Sequence, residues 1–354
     1  MEWQELSVMN KAIKYRLYPT TEQRTMFAKT FGCCRKVYNL MLADKIACYK
    51  ETKSFGKQTP AMYKKDYPFL AEVDSLALAN VQLNLQGAIN NCFSKSRKKK
   101  NGFPKFKSAK HSRKSYTTNN LKGSVAIIDS KYIKLPKYGK VKAKIHKNSL
   151  PDWKLKSATV SQDSDGKFYV SVLFEYDKEI LLHAPDKNKV LGLDYSTSSL
   201  YVDSNGVSAD MPKMYKKSHT KLAGQQRKLR NKVLHSNNYI KQQRKIAKLH
   251  KHISNQRNDF LHKTSTAIAK QYDVVAIEDI SITEQLQNRK FRNFRKSTLD
   301  NGWYNFTQML KYKLSDSGKR LVVVDKAFPS SKKCSHCGYV NPDINTDGIR
   351  KWMC

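Results

Sequence analysis

Two acidic residues that end short apolar runs are the clearest chemical signal in the sequence. Asp194 ends the run that starts at Val190, and Glu278 ends the run that starts at Val274. Such runs predict buried strands, and strand ends hold side chains rigidly. Either acid alone is more typical of a strand-terminal cap. Together, in a basic chain, they predict a Mg²⁺ centre, because metal-dependent phosphodiester cleavage needs clustered carboxylates.

Three cysteines near the C-terminus predict a second metal site. Cys334 and Cys337 form a Cys-x-x-Cys pair followed by a glycine, and Cys354 comes later. Zinc ribbons use this spacing and hold Zn²⁺ with four soft ligands in a tetrahedron. His336 lies inside the hairpin and is badly placed as a fourth ligand, so we expect an incomplete zinc site. The chain has 7 cysteines in all; an odd number without a disulfide framework favours a reducing cytoplasm.

The charge of the chain indicates a polyanionic partner. Its 354 residues include 67 Lys and Arg against 29 Asp and Glu, a formal net charge of +38. Self-repulsion on this scale disfavours a compact chain unless a polyanion neutralises it, and nucleic acid is the usual one. A very soluble basic enzyme is the alternative. A membrane protein is disfavoured, because no apolar run approaches the roughly 18–20 residues of a span and no signal-peptide pattern opens the chain.

Two basic segments are candidates for the nucleic-acid contact. Residues 94–107 mix lysines with phenylalanines, and aromatic rings among cations can stack on bases. Residues 215–270 predict long helices with one buried side and one side that faces phosphate. A solvated surface is the alternative for any single run of lysines. The residues predicted to contact nucleic acid here are Lys98, Lys99, Lys105, Arg227, Arg230 and Arg244.

Hydrophobic periodicity predicts an α+β chain with several domains. Strand patterns at 11–18 and within 123–177 predict a small β-barrel with a helical block inserted between them. From residue 189 a strand, a hairpin and long helices follow in ribonuclease H-like order. The predicted domains are a barrel at 1–19 and 112–185, a helical lobe at 20–111, an α/β domain at 186–327 and a zinc-binding segment at 328–354.

The sequence resembles the TnpB family of transposon-encoded RNA-guided nucleases, relatives of the type V CRISPR effectors. The resemblance extends from about residue 11 to residue 354. The motifs that carry it are Lys14-Tyr-Arg-Leu-Tyr-Pro19, Phe31-Gly-Cys-Cys-Arg-Lys-Val-Tyr-Asn39, Gly102-Phe-Pro-Lys-Phe-Lys107, Leu135-Pro-Lys-Tyr-Gly-Lys-Val-Lys142, Gly192-Leu-Asp194, Ile277-Glu-Asp279, Asp300-Asn-Gly-Trp303 and Phe328-Pro-Ser-Ser-Lys332 with Cys334 and Cys337.

The resemblance implies a wedge barrel with an inserted recognition lobe, followed by a RuvC domain that carries a zinc ribbon. It implies two nucleic-acid partners: a guide RNA transcribed from the transposon end, and target double-stranded DNA with a short adjacent motif. It also implies that Asp194 is the first RuvC acid and Glu278 the second.

Polar residues at two places match the positions where this family reads the adjacent motif. Asn80 and Asn84 lie one turn apart on a predicted helix, and Tyr116, Thr117 and Asn119 precede the barrel strands. Asparagine can read an adenine edge in the major groove with two hydrogen bonds. Polar residues on an ordinary helix surface are the alternative.

The sequence departs from the family pattern at its C-terminal end. The family continues with a second zinc knuckle and a third RuvC acid, whereas this sequence stops at Cys354; Asp325 belongs to an ordinary strand and is no substitute. One hypothesis is therefore a cleavage-deficient, guide-RNA-directed transcriptional repressor. The alternative is an active Mg²⁺-dependent endonuclease whose tail is absent from this chain. A transcription factor that reads DNA by itself ranks low, because no helix-turn-helix pattern is visible.

Overall fold

The computed structural model divides the chain into two compact units. One spans Leu6–Lys178, and the other comprises Met1–Glu5 and Glu179–Cys354. The structure describes residues 3–94, 102–110, 112–147, 152–182, 184–280, 282, 295–325, 328–329, 332–334 and 336–341.

A seven-stranded sheet is the framework of the N-terminal unit. Its strand order is β2-β6-β7-β1-β5-β4-β3, and β1–β5, β2–β6, β3–β4, β4–β5 and β6–β7 pair antiparallel. The first strand begins earlier than its sequence pattern predicted, and closure into a barrel stays a prediction. The strands are β1 (Trp3–Leu17), β2 (Lys114–Asn119), β3 (Ala126–Ile128), β4 (Tyr132–Leu135), β5 (Gly139–Lys144), β6 (Lys154–Gln162) and β7 (Phe168–Leu182).

Two helices pack with this sheet around one shared core. Helix α1 (Thr21–Thr52) begins with a capping box formed by Thr20 and Gln23, and α2 (Ser75–Phe93) follows after two short 3₁₀ turns. The Phe27 ring of α1 stacks on Tyr138, with ring centroids 4.3 Å apart. The predicted boundary between residues 111 and 112 therefore does not separate two hydrophobic cores, because the apolar faces of helix and sheet cover each other.

A mixed four-stranded sheet organises the second unit in ribonuclease H-like order. The order is β11-β10-β8-β9; β10 runs parallel to both β8 and β11, and β9 runs antiparallel to β8. Aliphatic and aromatic residues of the helices bury one face of this sheet. The elements are β8 (Val190–Tyr195), β9 (Tyr201–Asp203), α3 (Met214–Arg230), α4 (Asn237–Gln271), β10 (Val274–Glu278), α5 (Arg295–Asn301), α6 (Trp303–Ser315) and β11 (Arg320–Val324).

The fold is thus α+β, as predicted. Among the helices that the structure describes, none combines the length and the apolar character that crossing a membrane would require.

Candidate metal centre and nucleic-acid interface

Asp194 and Glu278 lie at the same level on neighbouring parallel strands. The register pairs Leu193 with Ile277, so the two acids follow as the next residues on β8 and β10. Leu193 and Ile277 are buried, whereas Asp194 is exposed and Glu278 is half-buried. Since side chains alternate between the faces of a sheet, both carboxylates project from the face opposite the helical core. Neighbouring strands are about 4.8 Å apart, which allows one cation to contact both carboxylates.

Small residues precede the two acids on the same face. Gly192 pairs with Ala276, and each lies two residues before the acid on its strand. A Cβ atom added at Gly192 would meet only the Cβ of Ser204, at an ordinary 3.6 Å. No large side chain therefore protrudes at these two positions next to the acids, and a polynucleotide backbone can approach the carboxylates.

The donor chemistry at this edge fits a hard cation. Carboxylate oxygens are the ligands that Mg²⁺ takes in proteins, usually one or two together with substrate phosphates and water. Asp194 and Glu278 would hold it. Within the residues that the structure describes, no group of three or more His, Cys, Asp or Glu side chains is placed to bind a metal.

The cysteine pair lies in a tight hairpin. The Cys334 N–H donates to the carbonyl of Tyr339 at 2.8 Å, and the Gly338 N–H donates to the carbonyl of Cys334 at 3.1 Å. Gly338 has φ of 77°, a left-handed conformation that glycine adopts without strain. The N–H of His336 points at the sulfur of Cys334 at 3.4 Å. A tight hairpin is thus formed around Cys334 and Cys337, while Cys354 lies outside the described residues; zinc binding by these cysteines stays a prediction.

The asparagines predicted to read DNA come from two elements that pack together. The side chain of Asn80 on α2 donates to Asn119 Oδ1 on β2 at 3.5 Å and to the carbonyl of Leu76 at 2.9 Å. Asn84, one turn further along α2, is exposed. The structure therefore brings Asn80 and Asn119 into contact and leaves Asn84 facing solvent.

Burial corrects the prediction for Tyr116. Its side chain is 5% exposed and belongs to the hydrophobic core, with its ring 5.9 Å from that of Phe31. A ring in the core cannot stack on a base, so any contact at this position falls to its neighbours. The hydroxyl of Thr117 lies 2.8 Å from that of Thr159, which fixes β2 against β6.

A small cleft beside these residues is lined by four cations, three of which sequence reasoning missed: Arg35, Arg113 and Lys114. It has a volume of about 110 Å³, and Arg35, Arg113, Lys114 and Lys107 are among its lining residues together with Asn80 and Asn84. Arg35 lies within one of the motifs of the resemblance, which was the available signal. Lys107 belongs to the predicted basic segment 94–107, whereas Arg113 and Lys114 needed the fold, because the start of β2 returns to the first helix only in three dimensions.

The motif that ends at Lys107 is anchored to α1. The side chain of Asn39 donates to the Lys107 carbonyl at 2.9 Å and accepts its N–H at 2.8 Å. The Lys107 ammonium lies 3.8 Å from the ring centroid of Tyr38, and desolvation lowers the pKa of this lysine. Lys105 of the same motif is exposed, whereas Lys98 and Lys99 lie outside the described residues.

The helical hairpin α3–α4 presents the predicted arginines to solvent. Arg227, Arg230 and Arg244 are all exposed. Between the helices, the buried side chain of Gln242 donates to the carbonyl of Gln225 at 2.9 Å and to its Oε1 at 2.8 Å. This buried link holds the two helices together while their outer faces carry the charge.

Comparisons with known proteins agree with this arrangement. The family model OrfB_IS605, described as a probable transposase, matches residues 171–289, and a Cas12f1-like TNB domain matches residues 303–354. A Streptomyces pristinaespiralis protein whose name describes an RNA-guided DNA endonuclease is 34% identical, over 98% of this chain and 85% of its own length. The chain belongs to the TnpB family.

Two further comparisons extend this result. The Escherichia coli K12 protein InsQ, also named for RNA-guided DNA endonuclease activity, is 30% identical to this TnpB chain over 93% of it and 83% of InsQ. A solved structure of Cas12f1 with sgRNA and target DNA matches at a TM-score of 0.57 and 13% identity, over 96% of this chain and 93% of that one. At this identity the match shows a shared fold.

One matching family model is described as a helix-turn-helix domain, but the structure has a different arrangement in that segment. A helix-turn-helix domain of the same family matches residues 9–54. In this TnpB chain the segment forms the end of β1 and one helix of 32 residues, Thr21–Thr52. Two helices joined by a turn are not found there.

Proposed function

We propose that this TnpB chain binds double-stranded DNA under the direction of a guide RNA and carries a RuvC-type Mg²⁺ centre at Asp194 and Glu278. The observation that carries the proposal is the level placement of these two acids on one face of adjacent parallel strands. The relatives named for RNA-guided DNA endonuclease activity support the same function, as does the fold shared with Cas12f1.

The chain's own groups divide the task. Asp194 and Glu278 hold the cation. The small residues Gly192 and Ala276 leave room for the polynucleotide backbone, and the exposed arginines of α3–α4 neutralise its phosphates. Bound at the acid pair, Mg²⁺ would activate a water and stabilise the leaving oxygen of a phosphodiester.

The guide RNA and the adjacent motif complete the proposal. A formal charge of +38 needs a polyanion larger than a short DNA site, and a structured RNA from the transposon end supplies it. Asn80, Asn84 and Asn119, beside the cationic cleft, would read the short motif next to the DNA target. The hairpin of Cys334 and Cys337 would contribute two ligands to Zn²⁺.

A second candidate is the guided repressor, which binds the same DNA without cutting it. It rests on the number of acids that the sequence matches to the family's RuvC set, which is two, Asp194 and Glu278. Two-metal cleavage needs enough carboxylate oxygens to hold both ions against their repulsion.

One experiment tests the proposal and separates the candidates. The 354-residue chain, charged with guide RNA, is given matched DNA in Mg²⁺, and both binding and cleavage are measured beside Asp194→Asn. An exposed acid on α4, changed in Asp259→Asn, is the control, since its ion pair with Lys263 lies at the surface. Cutting that only Asp194→Asn abolishes identifies the endonuclease, and binding without cutting identifies the repressor. Failure to bind matched DNA in preference to unmatched DNA overturns the proposal.

A further inference from the structure

A buried asparagine holds the loop that directly follows Asp194. Asn301, at the end of α5, is 2% exposed. Its Nδ2 donates to the carbonyl of Ser196 at 2.8 Å and to that of Ser199 at 3.0 Å, and it lies 3.4 Å from the carbonyl of Thr197. A side-chain amide has two N–H donors, so the two short hydrogen bonds use both of them. They join both ends of the loop between β8 and β9.

The loop begins directly after the end of β8. Asp194 pairs with Val202 across the β8–β9 hairpin, and Ser196 is only two residues further on. Next to Asp194, the ring of Tyr195 packs against Trp303, with ring centroids 5.4 Å apart. The Asp194 carboxylate is therefore exposed at a strand end, and the residues that follow it are fixed by contacts with Asn301 and Trp303.

The segment that carries Asn301 is itself fixed on two sides. The carboxylate of Asp300 accepts a hydrogen bond from Arg257 Nη2 of α4 at 2.6 Å and another from the Tyr215 N–H in the first turn of α3 at 3.0 Å. Both hydrogen bonds involve a charged group, which makes them stronger than neutral ones. Asp300 and Asn301 together thus connect the β8–β9 loop to both long helices, α3 and α4.

Gly302 explains why the segment turns so sharply. Its φ is 68°, and an added Cβ atom would lie 3.2 Å from Arg257 Cδ and 3.2 Å from Leu261 Cδ1. Glycine adopts this left-handed conformation without strain and leaves room for the close approach of α4. Each of the three consecutive residues thus has its own structural role: Asp300 binds α3 and α4, Asn301 binds the β8–β9 loop, and Gly302 makes the turn.

We infer that Asn301 is a positioning residue for the metal centre: by holding the loop after β8, it keeps the Asp194 carboxylate level with Glu278. The inference rests on the proposed function, since it assigns a divalent cation to that acid pair. Residues behind the ligands contribute to affinity because a ligand held in place loses less freedom when the ion binds.

The test uses Asn301→Leu, because leucine has nearly the shape of asparagine but cannot donate to the loop carbonyls. Asn305→Leu, at an exposed position of α6, is the control. Mn²⁺ is the probe, titrated into the RNA-free 354-residue chain at high salt and followed by electron paramagnetic resonance. The signal that counts is the binding that Asp194→Asn abolishes. Hydrogen exchange of the amides at 194–200 is measured in parallel.

We expect Asn301→Leu to weaken the Asp194-dependent Mn²⁺ binding by about tenfold or more and to speed exchange at 194–200, with Asn305→Leu within about twofold of the parent. If Asn301→Leu does not fold, Asn301→Ser keeps one donor and should show a smaller loss of the same kind. Unchanged Mn²⁺ affinity in the variants, with or without faster exchange, overturns the inference. A parent chain without any Asp194-dependent Mn²⁺ binding instead overturns the proposed metal centre, and this inference with it.

Discussion

The guanidinium of Arg257 lies 2.6 Å from the carboxylate of Asp300, and it joins the middle of α4 to the segment before α6. The side chains are 23% and 7% exposed, so the pair is largely removed from water. Removing one partner of such a pair leaves the other charge buried without compensation, which costs more than the pair contributes when intact.

The first prediction is a coupling between these two residues. Arg257→Met and Asp300→Asn should each lower the free energy of unfolding, and the double variant should lose less than the sum, with a coupling energy of about 1–3 kcal/mol. Denaturant unfolding of the four proteins measures it. The exposed ion pair of Asp259 and Lys263 on the same helix is the comparison, and it should couple by about 0.5 kcal/mol at most. Equal coupling for both pairs would contradict the structural role of Asp300.

The second prediction concerns pH and Lys45. This residue is 3% exposed, and its ammonium donates to the Gly56 carbonyl at 2.8 Å and to Gln86 Oε1 at 3.3 Å. Desolvation lowers the pKa of Lys45 below the ordinary 10.5. The unfolded chain then binds the proton more tightly than the folded chain, so this group makes the free energy of unfolding rise with pH between its lowered folded pKa and 10.5.

Lys45→Met should remove that contribution. The free energy of unfolding of the parent minus that of Lys45→Met is expected to increase as the pH rises towards 10.5, measured at high salt to screen the remaining charges. Lys50→Met, at an exposed position of the same helix, is the matched control and should leave the parent's pH profile unchanged. A difference that falls with rising pH would show that the ammonium is stabilised rather than desolvated in the fold.

The third prediction concerns recognition of the DNA motif. Asn84→Ala removes an exposed side chain next to the cationic cleft, so it should relax the preference for the adjacent motif by about 1–3 kcal/mol without lowering thermal stability. Asn119→Ala should relax the preference too, with some loss of stability, because Asn119 also accepts from Asn80. Binding to a library of flanking sequences measures both. Asn91→Ala, exposed near the end of α2, is the control, and an unchanged preference in Asn84→Ala and Asn119→Ala would refute the assignment.

The fourth prediction uses the salt dependence of nucleic-acid binding. Arg227→Gln, Arg230→Gln and Arg244→Gln change exposed residues, so the fold should be retained. Each substitution that removes a phosphate contact should reduce the slope of log affinity against log salt by about 0.7–0.9. Lys263→Gln, whose side chain is 77% exposed but pairs with Asp259, should change the slope least. Identical slopes for all variants would place the phosphate contacts elsewhere.

The fifth prediction concerns zinc. If the proposed zinc site forms, Cys334→Ser and Cys337→Ser should each lower the zinc content of the purified protein, because each removes a thiolate ligand. Cys48→Ser, half-exposed on α1, should retain it. Metal content by mass spectrometry decides, and zinc retained by Cys334→Ser would argue against the knuckle as its site.

The sequence by itself determined the local elements and the chemistry they carry. Asp194 and Glu278 were found because an apolar run of strand length has a visible end, and the capping box of Thr20 and Gln23 is equally local because it spans four residues. The charge of the chain is a sum over residues and needs no fold.

Only the tertiary structure decided which of these residues meet. Tyr116 shows the limit: its neighbours are polar in sequence, but the fold turns its ring into the core beside Phe31. Asn301 shows the converse, since it reaches the carbonyl of Ser196 across 105 positions of the chain. Periodicity reports which face of an element is apolar, whereas a contact of this kind depends on how separate elements pack, and packing is determined by all of the core together.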